Sequence, residues 1–64
     1  MLKIEFTTGN AAFCDPYTGE PDERYERGEC LVLLKKVCEK IEDGFHSGAI
    51  LDTNGNKVGA WSLE

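Results

Sequence analysis

Residues 30–44 read CLVLLKKVCEKIEDG, and this stretch decides the fold. At about 100° per residue, Cys30, Leu34, Val37 and Ile41 fall on one stripe, with Leu31, Leu33 and Cys38 at its edges. The spacing predicts an amphipathic helix of roughly four turns or more. Lys35, Lys36 and Lys40 lie in its later part, where cations favour the negative end of the macrodipole, and Gly44 sits where a left-handed residue would stop it. Upstream, Pro21 suits a first helical position, and Asp22, Glu23 and Glu26 suit a positive helix N-terminus. The helix is therefore expected to start near Pro21 and to run through Gly28, which at about 1 kcal/mol relative to alanine weakens the first turns.

On either side of the helix the periodicity changes from helical to alternating. Leu2, Ile4 and Phe6 alternate with Lys3, Glu5 and Thr7, the pattern of a strand with one buried face. Thr8 to Glu20 is a long connection rich in turn formers, with Phe13 expected to pin it to the core. After Gly44, residues 45–52 and 57–63 read as two strands joined at Asn54-Gly55, a pair that tolerates the positive φ of a two-residue type I′ turn. Such a turn places Leu51 opposite Val58 and Ile50 opposite Gly59. Val58 and Trp61 differ in parity, so burying both requires a bulge near Gly59. The order β, α, β, β predicts an α+β fold: one helix packed on a three-stranded antiparallel sheet, the third strand between the other two, in a single domain over residues 1–64. The expected core is Leu2, Ile4, Phe6, Phe13, Leu34, Val37, Ile41, Ile50, Val58 and Trp61.

A chain of 64 residues buries only about 60% of its unfolded surface, which leaves little room for a deep catalytic cleft. No segment approaches the roughly 20 apolar residues of a membrane span, and MLKIEFTTGN alternates where a signal peptide would be continuously apolar, so a soluble, intracellular protein is expected. Cys30 and Cys38 are about 12 Å apart along a helix axis, beyond the roughly 7 Å a disulfide spans. They read as small core residues in a reducing compartment, with Cys14 a loop thiol. The same separation argues against a zinc site built from Cys14, Cys30, Cys38 and His46. Asp52 to Asn56 imitates the opening of a calcium loop, but Lys57 stands where that loop needs glycine and Leu63 where it needs a bidentate glutamate. Cys14, His46 and Asp15 could supply a nucleophile, a base and an orienting acid, yet nothing in their spacing fixes such a geometry. The expectation is a protein without enzymatic activity, metal or cofactor.

Charge is the strongest compositional clue. Twelve acids against seven bases give a net −5, and residues 15–29 hold six carboxylates against two arginines. A field of this sign is repelled by nucleic acid and anionic membrane and attracted to basic surfaces. On one reading the acids only stabilise a helix start and keep a small protein soluble. On the other, Asp15, Glu20, Asp22, Glu23, Glu26 and Glu29 form an anionic surface resembling a phosphate row, with Tyr17 and Tyr25 supplying the contact area that makes an electrostatic encounter specific.

Three segments also carry a family resemblance. FTTGNAAF (6–13), KKVCEKIEDG (35–44) and GAILDTNGNKVGAW (48–61) together resemble small acidic proteins of bacteriophages and mobile elements, in which an NAAF-like stretch, a helix ending in an IEDG-like tail and an NGN-x-V-G-x-W hairpin recur in that order. The resemblance implies the same β-α-β-β fold. Among such proteins the chain looks most like an anti-CRISPR protein directed at a type I interference complex, with type I-C the first candidate. It implies a non-enzymatic inhibitor, cytoplasmic in a bacterial host; a monomer is expected ahead of a dimer, which an exposed edge on the first or second strand would permit. Such an inhibitor would bind the basic DNA-recruiting surface of a Cascade-type complex through residues 15–29 and block target DNA. The segment CDPYTGEPDERYER (14–27) is longer than the loop of the group and marks where specificity would lie. The alternative is a phage virion or replication accessory protein whose acidic face is merely solubilising.

Overall fold

The computed structural model describes residues 1–64. Three strands, β1 (Leu2–Phe6), β2 (Ser47–Leu51) and β3 (Lys57–Leu63), form one antiparallel sheet in the order β1-β3-β2, and a single helix, α1 (Glu23–Glu42), lies on one face. A short 3-10 turn, Ala11–Phe13, bridges β1 and the helix. This is the expected α+β fold, with the last strand in the centre.

Each element ends for a local reason. The side chain of Asp22 accepts a hydrogen bond from the Arg24 backbone N–H, so the helix is capped by Asp22 and starts two residues after Pro21, which instead bridges back to Cys14. Gly28 is passed without a break. At the other end Gly44 has φ +95°, its N–H donates to the Ile41 carbonyl and that of Phe45 to the Lys40 carbonyl, a Schellman stop. The Phe45 ring then lies 5.0 Å below the Lys40 ammonium, a cation–π contact across the same turn.

The β2–β3 connection differs from expectation. Asn54 does not have positive φ; only Gly55 does, at +83°. Gly55 N–H donates to the Asp52 carbonyl and Asp52 N–H to the Asn56 carbonyl, so the loop is three residues long: a type I turn followed by a left-handed glycine. Asp52 decides this, since its Oδ1 accepts from the backbone N–H groups of both Asn54 and Asn56 at 2.9 Å. The expected bulge is present. Ile50 faces Gly59 as anticipated, but Leu51 faces Lys57 instead of Val58, and the extra residue, Val58, turns inward together with Trp61. At Gly59 a Cβ would lie 1.9 Å from the Glu5 carbonyl oxygen and 2.5 Å from the Phe6 Cα, so only glycine permits β1 to pair here.

The core is Phe13, Leu33, Val37, Ile50, Val58 and Trp61, flanked by Ile4, Phe6, Ala12, Cys30 and Ile41. Two expected members are absent. Leu34 is 38% exposed while Leu33 is fully buried, and Leu2, opposite Leu63 at the end of the sheet, is 49% exposed. Cys38 is likewise exposed and Cys30 only half-buried. The helix is rotated from the expected stripe so that Glu29, Leu33 and Val37, spaced four apart, face inward.

Candidate partner-binding surface

The acidic segment comprises a loop and the first two turns of α1, and its carboxylates have different surroundings. Residues 14–21 form a small closed excursion. Cys14 and Pro21 pair across its base, Asp15 N–H donates to the Glu20 carbonyl, and Gly19, at φ +73°, donates to the Asp15 carbonyl. The Asp15 carboxylate accepts from the Tyr17 backbone N–H at 2.8 Å and the Thr18 hydroxyl from that of Glu20 at 3.3 Å. These bonds hold the tip in one shape. Tyr17, at that tip, is 91% exposed.

On α1 the acids turn progressively inward. Glu23 is exposed, Glu26 half-buried and Glu29 7% exposed, because a three-residue step falls short of a full turn and the row winds toward the core. Tyr25 is 36% exposed. Several charges are already answered within the chain: Arg24 reaches the Asp22 carboxylate at 3.4 Å and Arg27 that of Glu23 at 3.7 Å. The Arg24 backbone and side-chain hydrogen bonds hold the Asp22 carboxyl below the usual range. Tyr17, Glu20 and Glu26 present contact area and charge without an ion pair, with Asp15 shaping the loop.

Glu29 must be removed from the surface set. Its Oε2 accepts from the Thr53 backbone N–H at 2.8 Å and its Oε1 from the Thr53 hydroxyl at 2.6 Å, tying the helix to the hairpin loop. Beside it, buried Asp52 organises that loop and accepts at its Oδ2 from Asn10 Nδ2 at 2.5 Å, while Asn10 Oδ1 accepts from Ala12 N–H and so caps the 3-10 turn that carries Phe13. Burial alone would raise the Asp52 carboxyl, but the hydrogen bonds from Asn56, Asn10 and Asn54 outweigh it and hold the pKa below the ordinary value. Every buried side-chain nitrogen and oxygen has a partner. The network joins three distant parts of the chain, and Glu29 rotates the helix to reach it. Sequence reading missed this role, although Asp52-x-x-Gly55 is the signature of an Asp-initiated type I turn.

The other candidate chemistry is not assembled. Cys14 donates its thiol to the Asn10 carbonyl, near the hairpin loop, whereas His46 pairs by its carbonyl with Leu63 at the opposite end of the hairpin. Burial, followed by the charges of Glu26 and Glu29, pushes the Cys30 thiol up, which disfavours the thiolate. No helix is long and apolar enough to cross a membrane. Comparison with known proteins finds no matching family model, no matching curated protein and no matching solved structure.

Proposed function

We propose that this chain is a non-enzymatic, protein-binding inhibitor of the anti-CRISPR kind, which docks its acidic loop and helix start on a basic, DNA-recruiting surface of a type I surveillance complex. The observation that carries the reading is Tyr17, 91% exposed on a loop closed by its own hydrogen bonds and flanked by carboxylates. An aromatic ring held out in water is a cost to the free protein that a partner would remove, and tyrosine is among the residues that dominate interface energetics. The net −5 charge supports attraction to a basic patch, and the likeness of the NAAF, IEDG and NGN-x-V-G-x-W segments to phage-encoded proteins supports the target class. The contact set narrows to Asp15, Tyr17, Glu20, Tyr25 and Glu26, with Asp22 and Glu23 contributing charge already shared with arginines.

The test is a gel-shift titration of target DNA onto a purified type I surveillance complex, with and without this protein, at low and high salt. Loss of DNA binding at low salt, partly restored at high salt and abolished as an effect by Tyr17→Ala with Glu20→Lys and Glu26→Lys, is the expected result. The pairing of Asp22 and Glu23 with arginines favours a second reading, a phage virion or replication accessory protein whose acids serve only solubility. Under that reading DNA binds the complex unchanged at every salt concentration.

A further inference from the structure

One flank of α1 has no covering within the fold. The side toward β2 is marked by Lys36 and Lys40, which with Leu33 and Val37 line a groove against Ala49, Ile50 and Leu51. On the other flank Arg27, Leu31, Leu34, Cys38 and Glu42 recur at intervals of four, three, four and four, a single helical stripe. Leu31 is 57% exposed, Leu34 38%, and Cys38 is exposed. The stripe has an internal symmetry. About the midpoint between Leu34 and Lys35, Leu31 and Cys38 are equidistant, and so are Arg27 and Glu42.

The charges at its ends point to the occupant. Glu42 is the last residue of the helix, where the macrodipole disfavours an anion, and it has no ion pair within the chain. Its placement has no account inside one copy. We propose that α1 pairs antiparallel with α1 of a second copy about a two-fold axis at that midpoint. Leu31 of each copy then packs on Cys38 of the other, the two Leu34 side chains meet beside the axis, and Arg27 of each exchanges its solvent-exposed pair with Glu23 of its own helix for Glu42 of the other. A parallel arrangement would oppose Arg27 to Arg27 and Glu42 to Glu42. Lys35 lies beside the axis, its methylenes covering the seam while its ammonium reaches water. A 20-residue helix is about 30 Å long, and one flank of it covers less than the roughly 800 Å² per partner of a stable interface, which places the pairing among weak, concentration-dependent dimers. This pairing stands independently of the proposed function.

Sedimentation equilibrium of the whole chain from about 10 μM to about 1 mM tests it. The wild type is expected to pass from monomer to dimer across that range. Arg27→Glu and Glu42→Arg should each weaken association about tenfold, and the double reversal should recover wild-type affinity within about threefold, with unchanged circular dichroism throughout. Leu31→Cys should give a covalent dimer on mild oxidation by meeting the native Cys38 of the second copy; within one copy the two thiols are about 10 Å apart along the helix and cannot join. A protein that stays monomeric at the highest concentration overturns the proposal. So does a dimer in which the double reversal associates no better than either single variant, or in which Leu31→Cys does not cross-link.

Discussion

The two ends of the acidic segment differ in what their polar groups do. At Glu29 the carboxylate is enclosed and both oxygens are bound by Thr53, within a network that also contains Asn10 and Asp52. In the loop at Tyr17 the hydrogen bonds are all local, closing residues 15–20 on themselves and touching no other element. The first region spends its polar chemistry on holding the fold together, the second on holding a shape in front of solvent. Segments 6–13 and 48–61 supply most of the first region: Asn10 and Phe13, the Asp52–Asn56 loop, and Val58, Gly59 and Trp61. They specify architecture.

The sharpest way to break this division is at Gly59. Gly59→Ala pushes a methyl group into the β1 backbone, and Phe13→Ala empties the most enclosed aromatic site, at about 3–5 kcal/mol. A domain of this size holds roughly 3–5 kcal/mol in total, so both variants should be largely unfolded at room temperature by circular dichroism. A soluble Gly59→Ala variant with an unchanged melting curve would contradict the close approach of β1 and β3.

Next come the network carboxylates. Because the folded state lowers the Asp52 pKa, its contribution is present above the unfolded value of about 3.9 and is lost as pH falls through the lower folded value. Asp52→Asn should therefore melt several degrees below wild type at neutral pH, and the two curves should converge in strong acid, where the wild-type carboxyl is also protonated. Glu29→Gln should lower the neutral-pH melting temperature as well, because both Thr53 hydrogen bonds then lose a charged acceptor and one of them, meeting the amide NH2, loses its acceptor altogether. Convergence that fails for Asp52→Asn would assign the acid sensitivity to other groups.

Smaller effects are expected in the loop. Gly19→Ala forces a side chain into a positive-φ conformation with open space around it, destabilising by about 1 kcal/mol, seen as a small shift in the denaturant midpoint. Tyr17→Ala should change stability by less than about 0.5 kcal/mol while removing inhibition in the gel-shift assay. Comparable losses of stability and inhibition at Tyr17 would erase the distinction between the two regions.

The element order, the antiparallel pairing, the central place of β3 and the bulge were all legible in the sequence, since alternation, parity and the Gly44 stop each leave a local trace. The rotation of α1 was not. Leu33 and Leu34 are equivalent to a periodicity argument, and the choice between them rests on Glu29, a charged side chain that apolar patterning assigns to solvent but that accepts from the backbone N–H and hydroxyl of Thr53, twenty-four residues away. The turn at Asn54-Gly55 was misread for a related reason: the dipeptide predicts positive φ at both residues, whereas the preceding Asp52 supplies side-chain hydrogen bonds that favour the longer loop. In the acidic segment, spacing located the charges but not their direction, so the burial of Glu29 and the partial withdrawal of Glu26 required the fold itself.

Trp61 is the only tryptophan of the chain, 4% exposed, with its indole nitrogen 3.0 Å from where a side chain on Gly48 would begin. It is consequently an intrinsic optical probe placed at the crossing of the hairpin and the helix. Its fluorescence should be blue-shifted in the native protein and move to the red as the core is hydrated, so that hairpin opening is read by emission wavelength while the helix is followed separately by ellipticity. Coincidence of the two traces would mark all-or-none unfolding without any label being introduced.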